Sequence, residues 1–105
     1  MQTFKLSETR EFRDGGLKKF LVHDSYNFRI INFNLKAGQE LPVHNHDLDG
    51  ELSILVLEGE GEFLGGGLAT IPAAPGDVLL SQVREPHGVR AKTDMRILVT
   101  IAPPV

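Results

Sequence analysis

Three of the four histidines in this chain are spaced in a way that would let them meet at one metal ion. His44 and His46 are two residues apart, and in an extended strand such residues project to the same face. Imidazole nitrogens bind zinc, iron, nickel or copper at about 2.0 to 2.2 Å. A third ligand has to come from another part of the fold, and His87 is the natural candidate.

The same histidine pair also has a simpler interpretation, because His-x-His occurs by chance in polar surface loops. The remaining histidine, His23, lies beside Asp24 at the end of a predicted strand, and we interpret it as a surface or partly buried residue. The spacing of His44 and His46 therefore predicts a metal site only if the rest of the chain builds a fold that brings His87 to them.

The length and charge of the chain limit the classes of function. A chain of 105 residues with a net charge of -3 is enough for one domain, residues 1–105, with one modest core. It has no cysteine and no long run of like charges, so we expect no disulfide framework, no nucleic-acid partner and no anionic membrane surface. The longest apolar stretch, Leu52 to Leu57, is far shorter than the roughly 20 residues of a transmembrane helix. Since Met1 to Arg13 lacks the apolar core of a secretory signal, a cytoplasmic protein is expected. The charge balance of the chain favours a small-molecule partner.

Short extended segments separated by turn residues, around ten in all, predict an antiparallel sandwich or barrel. The clearest are 28–35, 52–57 and 96–101, the last with period-two alternation of Ile97, Val99 and Ile101. Further strands are predicted at 17–22, from 41 onward, and at 62–64, 68–71, 77–81 and 87–91. Closing such a sheet into a barrel removes exposed edges and creates an interior in which a histidine cluster would lie.

The residues around the histidine pair resemble the first motif of the cupin superfamily. That motif has a glycine, five residues, His-x-His, three or four residues, a glutamate, six residues and a second glycine. Here five residues separate Gly38 from His44, and four separate His46 from Glu51. The match departs from the motif after Glu51, because seven residues (52–58) precede Gly59.

The residues before His87 resemble the second cupin motif, which has a glycine, five residues, Pro-x-Gly-x-x-His, three residues and an asparagine. Gly76 and His87 stand at the expected offset. Gln82 and Arg84 replace the preferred proline and glycine, and Ala91 replaces the asparagine. These differences alter the loop and not the histidine.

Both motifs occur in order, the first at 38–59 and the second at 76–91, so the resemblance covers nearly the whole chain. It implies an all-β fold, the double-stranded β-helix or jelly-roll barrel of the cupins. It also implies a divalent transition metal, whether Zn, Fe, Ni, Mn or Cu. The ligands that the resemblance implies are His44, His46, His87 and, as a fourth, Glu51.

The extra residue before Gly59 puts the role of Glu51 in question. Counting back from Gly59 places Leu52 in the glutamate position, and a shift of one residue along a strand reverses the facing of a side chain unless a bulge restores it. Asp47 and Asp49 are alternative carboxylate ligands, or they are solvated loop acids. The sequence leaves these alternatives open.

The resemblance implies a metal-dependent enzyme acting on a small molecule, such as a dioxygenase or an isomerase. The alternative is a non-catalytic module that binds or senses a small ligand, in which the metal is structural or absent. Arg84 and Arg90 would either meet an anionic group of the ligand or lie solvated at the surface. Small cupins usually pair through an edge strand, so we expect a homodimer, with the segment before Gly15 as a contributor.

Overall fold

The computed structural model describes residues 1–105 and consists mainly of β-strands. The strands are β1 (Lys18–Asp24), β2 (Arg29–Leu35), β3 (Glu40–His44), β4 (Glu51–Glu58), β5 (Gly61–Leu64), β6 (Thr70–Ala73), β7 (Val78–Gln82), β8 (His87–Ala91) and β9 (Met95–Ala102). Two short 3₁₀ turns, Leu6–Thr9 and Gly66–Leu68, are the only helical elements, and no helix is long and apolar enough to cross a membrane. The cytoplasmic location expected from the sequence stays a prediction.

The strands form two antiparallel sheets between which the chain passes repeatedly. One sheet has the order β1-β2-β9-β4-β7, and the other has the order β3-β8-β5-β6. The predicted all-β jelly-roll fold is confirmed, with nine strands where around ten were expected. The strand expected at 68–71 begins only at Thr70, because Gly66–Leu68 forms a 3₁₀ turn in which Gly67 and Leu68 have positive φ angles.

The core lies between the two sheets and comprises 14 buried apolar residues drawn from both of them. Strand β9 shows how the sequence specifies it, since Ile97, Val99 and Ile101 alternate and all three are buried. Strand β4 follows the same rule with Leu52 and Ile54. Each such side chain contributes about 1.5 to 3 kcal/mol when it leaves water, so this alternation determines which face of each strand points inward.

Strand β2 is buried on both faces, because the N-terminal turn covers the side that faces away from the core. There Asn32, Asn34 and Arg96 are buried polar residues. Arg96 Nε donates to Asn34 Oδ1 at 3.0 Å, and Arg96 Nη2 donates to Leu6 O at 2.5 Å. Asn34 Nδ2 donates to Thr9 O at 2.6 Å. The N-terminal turn, which we expected to contribute to a dimer, is therefore hydrogen-bonded to the sheet of its own chain.

We predict that Arg96→Met destabilises the fold by about 2 to 4 kcal/mol, because it removes the charged hydrogen bonds that the buried guanidinium donates to Asn34 Oδ1 and Leu6 O. The matched control is Arg90→Met, since Arg90 pairs with Glu40 at 2.8 Å on the exposed surface. Such surface pairs contribute about 0 to 1 kcal/mol. Urea unfolding of both variants measures the difference, and equal losses of stability would contradict the structural role given to Arg96.

Candidate metal centre

The pairing of β3 with β8 brings His44 directly opposite His87. Leu41 pairs with Val89, and the next aligned pair is His44 with His87. Three steps along β3 are thus matched by two steps along β8, so β3 carries one extra residue, a β-bulge. Residues that lie opposite each other in an antiparallel pair project to the same face with Cβ atoms about 4.5 to 5.5 Å apart. Without the bulge, His44 would not lie opposite His87.

Two residues inside this irregularity explain why it forms. Pro42 has no N–H to donate and is found in sheets mainly at edges and bulges. A Cβ atom built on Gly88 would lie 2.6 Å from Leu41 O and 2.9 Å from Val43 N. Glycine is therefore required immediately after His87 for the two backbones to approach this closely.

Backbone carbonyls fix the orientation of two of the rings. His44 Nδ1 lies 2.8 Å from Pro42 O, and His87 Nδ1 lies 2.7 Å from Glu85 O. A carbonyl oxygen only accepts, so each Nδ1 carries the proton and donates it. In a neutral ring this leaves the lone pair on Nε2, which is the arrangement that metal-binding histidines use.

The separation of the His44 and His87 rings fits a shared ion, and the separation of the His44 and His46 rings is slightly too long. Ring centroids are 4.6 Å apart for His44 and His87, and 5.6 Å apart for His44 and His46. Nitrogen-to-metal distances of about 2.0 to 2.1 Å place the centroids of neighbouring ligand rings about 4.5 to 5.5 Å apart. As the rings stand, no three such side chains are in ion-binding geometry. His46 is exposed, so its ring is free to turn toward the other two.

Burial favours the neutral form of His87, which is the form in which imidazoles bind metals. The side chain is only 4% exposed, and burial lowers its pKa below the usual 6.5. The hydrogen bond to Glu85 O opposes this by raising the pKa, while the neighbouring His44 and His46 lower it further. His87 is therefore neutral at pH 7, whereas His44 and His46 lie at the exposed mouth of the site.

The three histidines line a cavity of about 90 Å³ whose remaining wall is apolar. Leu52 and Ile54 of β4 and Val99 of β9 are among the side chains that form it. The full apolar lining is Ile31, Phe33, Leu41, Leu52, Ile54, Val99, Ile101 and Val105. No acidic or cationic side chain lines this cavity, so the imidazoles are its only polar side-chain groups.

Glu51 does not line the cavity. It is exposed at the start of β4, whereas Leu52 is 4% exposed and part of the wall. A bulge does occur in β4, but its register shift lies between Val56 and Glu58, beyond the stretch that faces the cavity. It absorbs the extra residue before Gly59 without turning Glu51 inward. The role of Glu51 as a fourth ligand stays a prediction that the position of its side chain does not support.

The other charged residues considered from the sequence pair with one another at the surface. Arg84 lies 3.1 Å from Asp47 and 2.5 Å from Asp49, and all three side chains are largely exposed. Arg90 pairs with Glu40. The loop acids are thus solvated ion-pair partners, and neither arginine lines the cavity.

Two features of the site were not anticipated from the sequence. Gly88 follows a candidate ligand within a predicted strand, and such a glycine is a recognisable sign of a bulge or a close backbone approach. Val105 contributes to the cavity wall, and Arg29 Nη1 donates to Val105 O at 2.5 Å. No pattern in the sequence signals this second contact, because it depends on where the chain beyond β9 runs in space.

Comparison with known proteins identifies the family. The Cupin domain family matches residues 32–101, which include all three histidines and most of the strands. This chain is a cupin. It is 57% identical to an RmlC-like cupin protein from Desulfovibrio desulfuricans, with a TM-score of 0.96 over 100% of this chain and 99% of that one.

More distant structures share the fold of this cupin. The protein TT1209 from Thermus thermophilus is 26% identical, with a TM-score of 0.90 and complete coverage of both chains. Ectoine synthase from P. lautus is 24% identical, with a TM-score of 0.78 over 100% of this chain and 80% of that one, a likeness of fold alone. No curated protein matches the chain significantly.

We predict that His87 in the metal-free protein titrates with a midpoint below 6.5, because burial disfavours its charged form. Its contribution to stability is then present above pH 6.5 and is lost as the pH falls through the lowered pKa. The NMR chemical shift of the ring Cε1–H, assigned with His87→Gln, measures the midpoint. A midpoint at or above 6.5 would contradict the buried, neutral ring.

Proposed function

We propose that this cupin binds one divalent transition metal through His44, His46 and His87 and holds a small molecule beside it. The observation that carries the proposal is the alignment of His44 with His87, each with Nδ1 bonded to a carbonyl and Nε2 free. Three neutral imidazoles suit zinc, copper, nickel or iron(II) better than the harder manganese. When bound, such an ion polarises a carbonyl group or activates water.

In this proposal, the residues around the histidines orient the rings and exclude water from the bound molecule. The carbonyls of Pro42 and Glu85 orient two of the rings, as outer partners of metal ligands commonly do. The apolar wall, with Leu52 and Ile54, keeps water from the body of a bound molecule. The chain thus supplies two oriented imidazoles, a third that has to turn toward them, and an apolar pocket next to them.

The composition of the wall bears on whether the protein is an enzyme. Apart from the imidazoles, the cavity has no acidic or basic side chain that would transfer a proton to or from a bound molecule. This observation favours the second candidate function, a non-catalytic module that binds or senses a small ligand. An enzyme of the dioxygenase or isomerase type would have to rely on the metal and its histidines alone.

We expect His44→Ala, His46→Ala and His87→Ala each to weaken metal affinity beyond the about 10- to 100-fold loss that outer partners cause. Each variant removes one donor from a set of three. Metal analysis of untagged protein and titration with zinc measure the effect. Glu51→Gln and His23→Ala are the matched controls, and both should retain the wild-type affinity.

The controls and the stability of the variants separate the outcomes of these experiments. Full metal retention in His87→Ala, or loss of metal in Glu51→Gln, would refute the proposed ligand set. If the histidine variants keep a folded circular-dichroism spectrum, the metal serves binding or chemistry. Unfolding of all three would instead mean that the metal holds the strands together.

We also propose that the protein is a homodimer formed at the edge strand β7. Natural proteins protect sheet edges with charges or proline, and the edge strands β1, β3 and β6 each contain one or the other. Strand β7 contains neither. It exposes Val78 and Leu80, with 78% of Leu80 accessible. Pairing with a second copy would cover this edge.

Leu80→Lys is expected to shift the protein from dimer to monomer, because it places a charge in the proposed interface. Leu21→Lys is the control, since Leu21 is also exposed but lies on β1, an edge that already carries lysines. Light scattering after size-exclusion chromatography gives the mass of each variant. A monomeric wild type, or a dimer that persists in Leu80→Lys, would rule out this interface.

A further inference from the structure

We infer that the natural ligand is a small molecule with one metal-binding group and an otherwise apolar, uncharged body. This inference rests on the proposed function, because it takes the histidine cluster as the point of attachment. It goes further by naming the chemical class that the remaining wall accepts. The polar groups, the charges and the size of the cavity each support it.

The polar atoms available to a ligand are concentrated at the imidazole cluster. Nδ1 of His44 and Nδ1 of His87 are already bonded to backbone carbonyls, which leaves the Nε2 atoms for the metal or the ligand. Every other side chain in the wall is apolar. A hydroxyl or amide on the body of the ligand would therefore lose its hydrogen bonds to water without gaining others.

The charged residues near the site offer no second anchor. Arg84 is paired with Asp47 and Asp49, Arg90 with Glu40, and Arg29 with Asp24 and the carbonyl oxygen of Val105. None of these arginines lines the cavity. A second carboxylate or a phosphate held inside this cavity would have no cation to meet, although Arg90 lines a neighbouring cavity together with His44.

The size of this cavity limits the part of the ligand that it can enclose. Its volume is about 90 Å³. At about 30 Å³ for one water in the liquid, this is the equivalent of about three waters. A short alkyl or branched alkyl chain fits this space, whereas a large ring system does not.

The test compares two carboxylates with the same number of non-hydrogen atoms, pentanoate and 4-hydroxybutyrate. They differ by a terminal methyl in one and a hydroxyl in the other, far from the metal-binding end. Titration into cobalt-loaded protein, followed by the visible spectrum of the ion, reports binding without any need for activity. We expect pentanoate to bind about 10- to 100-fold more tightly, the range by which apolar pockets reject an added hydroxyl. Equal or tighter binding of 4-hydroxybutyrate would overturn the inference.

Matched variants locate the preference in the cavity wall. Val99→Thr places a hydroxyl in the wall with almost no change of shape. We expect it to reduce the ratio of the affinities for pentanoate and 4-hydroxybutyrate. Val78→Thr makes the same substitution on β7, outside the cavity, and should leave this ratio of affinities unchanged. A preference that responds equally to both substitutions would refute the proposed location.

Failure of the metal proposal and failure of this inference are distinguishable. Metal content is measured first, and if no ion is retained, the metal-free protein is titrated with butan-1-ol and propane-1,3-diol. These alcohols also have equal numbers of non-hydrogen atoms, and the NMR signals of the Ile54 and Val99 methyl groups report occupancy. Selective binding of butan-1-ol would support an apolar ligand even without a metal. Equal or stronger binding of the diol would overturn it.

Discussion

The bulged pairing of β3 with β8 is the constraint on which the candidate site depends. One extra residue in β3 brings His44 opposite His87, and Gly88 allows the two backbones to approach closely enough for this register. The same bulge positions Pro42, whose carbonyl oxygen accepts from His44 Nδ1. A regular ladder in this place would leave the histidines of the two motifs out of alignment, whatever the quality of the surrounding core.

The candidate site combines a buried, neutral His87 with an apolar surrounding, and the two properties support each other. Burial lowers the pKa of His87 and so keeps its ring uncharged. A neutral ring is the form that binds a metal, and it costs less to bury than an imidazolium. The side chains of the wall around it carry no counter-charge. This differs from a polar active site in which several side chains share the work of acid, base and anchor.

Much of the fold was predictable, because the period-two pattern of strands such as β4 and β9 can be read directly from the chain. The pattern failed where a local backbone conformation intervened, as in the 3₁₀ turn at Gly66–Leu68 that delays the start of β6. The three histidines were also named from spacing and motif. Glu51 was harder to judge, since the direction of its side chain depends on where the bulge lies along β4. The number of residues between Glu51 and Gly59 indicates that a bulge exists but not where it lies.

The sequence by itself determined the all-β class, the inward faces of the strands and the identity of the histidines, because these follow from local alternation and from residue type. The tertiary structure alone decided which side chains enclose the cavity, that Leu52 and not Glu51 faces it, and that Arg84 is bound by Asp47 and Asp49. These features are set by contacts between segments distant in the chain. Register, bulge position and loop course govern such contacts, and none of the three is a property of a single stretch of sequence.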